Sequence, residues 1–337
     1  MKTGSFLAFV VLLVTGWYAG AGPLDEISHR DKLYDIEVRG DNILVIGYPG
    51  LLLYSSDRGS SFEMLEPGTK DALFSIDLND DGLGAIVGRS GLVLVTTDGG
   101  KTWVRKKSGV SEHLFDVEVT DGAKMWAVGH FGTIVHSADG GESWQRQEYD
   151  ATLPESAGEE GVAISTAEEE NQGAAEEARL NAVVFADDSR GWIVGEFGMV
   201  LHTADGGASW KRQPSASGML LFDIIIMSEG RIMVAGSEGA LMQSLDDGAN
   251  WQLIDAGVSE HLLGLCAVGE KLYLVGRDGL ILKGGPEGPF ERLETRLYTW
   301  LEAVDFVDDR VGFVVGGRGY FLKTTDAGKS FTRLSGK

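Results

Sequence analysis

One short pattern recurs seven times along this chain and leaves few folds open to it. In its commonest form it reads V-G-x-x-G, then an apolar stretch, then S/T-x-D-x-G-x-x-W/F. The first glycine falls at Gly47, Gly88, Gly129, Gly195, Gly236, Gly276 and Gly316. A second follows three residues later each time, at Gly50, Gly91, Gly132, Gly198, Gly239, Gly279 and Gly319. An aspartate stands ten residues after the first glycine in six copies, as Asp57, Asp98, Asp139, Asp205, Asp246 and Asp326; in the sixth copy that position is Pro286. Successive copies are 40 or 41 residues apart, except for 66 between Gly129 and Gly195. Units of this length, with short strands and glycine turns, are the signature of propeller blades. The sequence therefore predicts an all-β protein, a seven-bladed β-propeller closed as one domain over residues 23–337, whose 48 glycines belong to turns and not to disorder.

Each unit opens with an apolar strand A, predicted over 33–38, 73–78, 114–119, 180–185, 221–226, 262–268 and 301–306. Strand B runs into the first glycine. The G-x-x-G turn leads to strand C, because glycine enters the left-handed region at little cost. The aspartate turn joins C to D, its carboxylate accepting backbone N–H groups within the turn. Strand D opens with an aromatic residue: Phe62, Trp103, Trp144, Trp210, Trp251, Phe290 or Phe331. That aromatic is expected to pack into its own blade, which makes the Asp and Trp positions stability devices. Alternating strand directions put the B–C turns and D–A links on one face, around the channel mouth, and the aspartate turns on the other. The mouth face is where turn sequence is free to vary, so a binding site is expected there.

The net charge is −22. Ten acidic residues and one arginine fall in Glu148–Arg179, a segment rich in Ala, Glu and Gly that accounts for the long spacing between blades 3 and 4. Such a segment buries too little apolar area to order itself, and is expected to act as a mobile acidic flap on the mouth face. The remaining surface is acidic as well, which argues against nucleic acid and against binding anionic lipid by charge. A single cysteine, Cys266, rules out an intramolecular disulfide and a thiolate metal cluster. The first 22 residues carry Lys2, the apolar run Phe6–Val14 and an A-x-A stretch at 19–21. They read as a signal peptide or an uncleaved membrane anchor, and either places the propeller outside the cytoplasm, in the periplasm.

Several side chains are candidates for contact on the mouth face. Arg89, Arg277 and Arg318 sit on B–C turns and could grip acidic groups. Tyr48, His130, Phe131, Phe197 and Tyr320 lie in or beside the same turns, either as an exposed apolar rim or packed down. The string G-V-S-E-H-L occurs at 109–114 and 257–262, bringing Glu112, His113, Glu260 and His261 toward the channel. They could bind a cation or simply cap strand A; the latter is expected, with no metal and no cofactor. His136 and His202 share a strand C position that elsewhere holds Tyr54, Val95, Gln243 and Lys323, a variety expected of a tolerant outer site.

The turn S/T-x-D-x-G-x-x-W/F is the Asp-box, or BNR, repeat. With phrases such as AVGHFGTIVHSADGGESW and IVGEFGMVLHTADGGASW, the chain resembles the photosystem II stability/assembly factor family over roughly residues 33–334. That resemblance implies a non-enzymatic scaffold, a monomeric propeller whose partner is an integral membrane protein or membrane complex. It extends to bacterial relatives serving other envelope complexes, such as RND-type exporters, with a transporter subunit as partner. The chain departs from the phototroph pattern in its acidic insert and in lacking a lipobox. The Asp-box is shared with sialidases and other glycosidases, so a glycan-directed protein is the alternative. The sialidase R-I-P signature is absent, but a carboxylate pair for glycoside hydrolysis could be drawn from Asp35, Asp116 and Asp223 on strands A.

Overall fold

The computed structural model of the protein describes residues 22–153, 177–227 and 230–335. The leader and the central part of the acidic insert lie outside the described residues. Among the described residues, seven four-stranded antiparallel sheets form the blades of a β-propeller. No helix there is long and apolar enough to cross a membrane.

Strand A occupies Lys32–Arg39, Leu73–Leu78, Leu114–Val119, Leu180–Phe185, Leu221–Ile226, Leu262–Val268 and Leu301–Phe306 in blades 1 to 7. Strand B is buried along nearly its whole length, as in Gly84–Gly88 and Gly312–Gly316, because both of its faces meet neighbouring blades. The apolar clusters accordingly lie between blades. One of them combines Val87, Val93 and Val95 of blade 2 with Leu114, Val117 and Trp144 of blade 3. Trp144 and Trp210 thus fill interblade layers, where the sequence reading put the strand D aromatics inside their own blades.

All four strands of each blade come from one continuous stretch, so the ring closes without strand exchange. Side chains make the seam between blades 7 and 1. Ile27, Leu33 and Ile43 pack with Phe313, Val315 and Phe321. Lys323 Nζ crosses the seam to donate to the Gly59 carbonyl at 2.9 Å, and Arg58 pairs with Asp308.

The aspartate turns satisfy themselves internally. Asp98 accepts hydrogen bonds from the Thr96 hydroxyl at 2.8 Å, from the Lys101 and Thr102 amides, and from the Thr102 hydroxyl at 2.6 Å. These bonds hold Asp57, Asp98, Asp139, Asp205 and Asp326 down to about 2, and Asp246 below its usual range. The residue just before the aromatic completes the box as Ser61, Thr102, Ser143, Ser209, Asn250 or Ser330.

The strand C position of His136 and His202 is not a tolerant outer site. The two imidazoles stack on Trp126 and Trp192 of strand B at 4.6 and 5.1 Å. In blades 6 and 7 the same pairing appears as Lys283 over Tyr273 and Lys323 over Phe313. What varies from copy to copy is a cross-strand pair, not a lone surface residue.

The acidic segment is anchored at both ends. Asp150 bridges in parallel to Lys211 on the outer strand of blade 4. Ala151 and Ala178 are buried, and the Ala178 carbonyl accepts from Gly132 N–H in the blade 3 turn.

Candidate functional site at the channel mouth

Every blade has a register shift at the residue that follows the first leucine of strand A. In blade 1, Leu33 faces Gly47 and Asp35 faces Ile46, leaving Tyr34 unpaired. A bulge of this kind re-aims the extra side chain. Seven equivalent residues, Tyr34, Phe74, Phe115, Asn181, Phe222, Leu263 and Glu302, therefore ring a cavity of about 300 Å³ at the mouth. Tyr34 meets Phe74 edge-on at 5.3 Å, and Phe74 lies 5.6 Å from Phe115. The aromatic arc continues through His130, 4.6 Å from Phe115, to Phe131. Arg179 lies over the Phe115 ring at 5.4 Å, with its Nε 3.9 Å from Glu196.

Asp35, Asp116 and Asp223 also line this cavity. Each clips its blade to the next. Asp35 accepts from Ile76 N–H at 2.9 Å, Asp116 from Val183 N–H at 2.7 Å and Asp223 from Leu265 N–H at 2.7 Å. The second oxygen of each is taken as well, by Ile36 N–H, the Ser75 hydroxyl and Ile224 N–H. Further down the channel, Asp77, Glu118 and Asp305 make the same kind of clip to Val119, Phe185 and Val38. Burial and mutual repulsion push Asp35 well up, while burial raises Asp116 to about 6 and Asp223 to about 7. Glu302 differs from these. It makes no hydrogen bond or ion pair among the described residues; burial raises it to about 7 against the nearby guanidiniums of Arg277 and Arg179.

Arg89, Arg277 and Arg318 are exposed and make no ion pair among the described residues. Arg89 and Arg277 occupy the same, first turn position, their amides bonded to the carbonyls just before strand A. Arg318 sits one residue further out, in the left-handed region at φ 58°. The rim aromatics stand out from the surface: Phe131 is 60%, Phe197 52% and Tyr48 40% exposed. Tyr320 is half-buried beneath Arg333.

The two histidines of the repeated string serve structure. His113 Nδ1 accepts from Ser90 N–H and His261 Nδ1 from Glu238 N–H, each at 3.1 Å, so each fixes the neighbouring blade's turn. His113 also stacks on His130 at 5.2 Å. Glu112 is bonded to Ser111 N–H, and Glu260 to Arg292. No group of three or more His, Cys, Asp or Glu able to hold a metal occurs among the described residues.

Sequence reasoning passed over the ring of Tyr34, Phe74, Phe115, Phe222 and Glu302. The signal lay in the residue after the first leucine of strand A, aromatic in four of seven copies. It also passed over the exposed Met219 and Tyr298 in the D–A links.

A family model described as photosynthesis system II assembly factor YCF48 matches residues 62–171 and 157–218. The chain is an Asp-box propeller resembling the photosystem II assembly factors. A structure of YCF48 bound to D1 peptide shares the fold at TM-score 0.64 and 17% identity, covering 88% of this chain and 92% of that one. YCF48 from Cyanidioschyzon merolae gives 0.60 and 20%, covering 79% and 87%. The GH74 xyloglucanase from Xanthomonas campestris gives 0.69 and 12%, covering 93% of this chain and 55% of the enzyme, so this chain spans about half its length. At these identities the likeness is one of fold. No curated protein sequence matches the chain.

Proposed function

We propose that the protein is a non-enzymatic, extracytoplasmic scaffold that docks on an integral membrane protein or membrane complex through its mouth face. The observation that carries this reading is the contrast between the two faces. On one, the aspartates are saturated by their own turns. On the other, arginines without an ion pair among the described residues share the B–C turns with exposed aromatics. Exposed aromatic and Arg side chains are the usual anchors of protein interfaces.

The family match supports an assembly or stability role. The similar propeller bound to D1 peptide supports a membrane protein as partner. A transporter subunit is the candidate partner in an organism without photosystem II. The apolar leader, 6–14, supports export, by cleavage or as an anchor.

Full engagement of Asp35, Asp116 and Asp223 by clips favours the non-enzymatic reading, since a glycosidase needs a free acid and a free nucleophile or base. The glycan-directed alternative rests on the aromatic mouth and the fold shared with GH74 enzymes. The test is affinity purification of the tagged chain from detergent-solubilised native membranes, beside an Arg89→Ala/Arg277→Ala/Arg318→Ala variant. A stoichiometric integral membrane partner, lost in the variant, is the expected result. A chain recovered alone, with turnover of glucan or sialoside substrates, would establish the alternative.

A further inference from the structure

We propose that the channel mouth is a socket for an arginine side chain presented by the docking partner. The inference rests on the scaffold reading and names the group that the scaffold grips.

Three features of the mouth converge on a guanidinium. The walls are aromatic on four blades, through Tyr34, Phe74, Phe115 and Phe222, each turned inward by the same bulge. Ring faces attract cations, and a planar guanidinium stacks on them better than an ammonium does. The fold already makes this contact once, with Arg179 over Phe115. Next, the cavity of about 300 Å³ leaves room for a whole side chain beside that of Arg179. Last, acidic groups outnumber cations, and an entering cation would favour their ionised forms. Asp35, Asp116, Asp223 and Glu302 line or floor the cavity, against Arg179 and Arg277.

Glu302 gives the socket its polar end. The aspartates spend their oxygens on the clips, whereas the Glu302 carboxylate makes no hydrogen bond or ion pair among the described residues. An entering guanidinium would supply the two N–H donors that it lacks, in a bidentate pair. An anionic tail would instead meet four carboxyl groups in a place where burial already disfavours negative charge, so the exposed arginines of the turns and the mouth select opposite charges. Together they suit a partner segment with an arginine flanked by acidic residues.

The experiment titrates the full chain with the blocked peptide acetyl-Gly-Arg-Gly-amide and with its citrulline counterpart, which has the same shape and no charge, following binding by NMR. The arginine peptide is expected to bind at least about tenfold more tightly than the citrulline peptide. Glu302→Gln should remove most of that difference. Phe222→Leu should weaken the arginine peptide severalfold while thermal unfolding shows both variants folded. Equal affinity for the two peptides, or undiminished arginine binding in both folded variants, overturns the socket. The membrane purification separates this outcome from failure of the scaffold reading. A partner captured equally by wild type and Glu302→Gln leaves the scaffold standing and the socket refuted.

Discussion

Asp35 of blade 1 holds the backbone N–H of Ile76 in blade 2 at 2.9 Å, and the relationship repeats around the ring. Asp77 reaches Val119, Asp116 and Glu118 reach Val183 and Phe185, Asp223 reaches Leu265, and Asp305 reaches Val38 across the closing seam. Strand A of one blade offers no ladder to strand A of the next, so these amides would otherwise face the channel without protein partners. The carboxylates fill that need at the cost of collecting negative charge where burial disfavours it.

Removing one clip separates these two effects. Asp116→Ala leaves Val183 N–H and the Ser75 hydroxyl without their partner, and is expected to destabilise by about 1–3 kcal/mol. Asp116→Asn keeps an acceptor and discards the charge, so it should cost clearly less at neutral pH. Urea unfolding of the two variants at pH 7.5 compares them. Equal losses would mean that the clip contributes nothing beyond its charge.

The two sets of carboxylates set opposite pH dependences. Burial raises Asp116 and Asp305 to about 6, and Asp223 and Glu302 to about 7, so between pH of about 4 and those values the folded state holds protons that the unfolded chain releases. Stability therefore falls as pH rises through that window. The Asp-box aspartates, held at about 2, contribute stability that is present above about pH 4 and lost as pH falls toward 2. Thermal midpoints between pH 2 and 9 should peak near the crossover of the two windows. A midpoint that climbs steadily from pH 4 to 8 would contradict the buried-carboxylate half of this account.

Closure of the ring depends on side chains. Lys323 Nζ lies 5.2 Å over Phe313 and donates to Gly59 O, linking blade 7 to blade 1. Lys323→Met preserves the apolar stem and removes the donor, leaving the bond to Gly59 unmade. The expected loss is about 0.5–1.5 kcal/mol, with hydrogen exchange accelerated first in Leu51–Ser55 and Phe321–Thr324. Uniform acceleration over all blades would show that the seam is not where the ring opens.

How far the sequence led follows from what repetition exposes. Strand A of blades 2 to 7 is legible to the residue, because seven aligned copies repeat the same apolar opening. The mouth ring is not, since an unbulged strand gives no reason to aim Phe115 and Asp116 into the same channel. Asp35 and Asp116 looked available for chemistry because their backbone partners lie some forty residues or more away, on another blade. His136 and His202 looked replaceable because a single column of the repeat was compared, when the constraint joins two columns, with Trp126 and Trp192 in the other.

The glycine two residues after the aspartate of each box carries a constraint beyond its turn. Gly207 of blade 4 has φ of +75°, and a Cβ there would stand 2.4 Å from Trp126 Nε1 in blade 3. The Gly207 carbonyl also accepts from Gln147 Nε2 at 2.6 Å, tying the box to the preceding blade. Gly207→Ala thus combines left-handed strain with a wedge between blades. Gly109 is the control: its φ is +80°, and its Cβ would meet nothing closer than 4.0 Å. Gly109→Ala should cost only the backbone term, about 1–2 kcal/mol. Gly207→Ala should cost about 1–3 kcal/mol more. It should also alter the fluorescence of Trp126, which stacks on Phe185 at 4.1 Å and cannot yield without disturbing that ring. Equal costs for the two substitutions would show that the blades part freely at this contact, and that the glycine serves its turn alone.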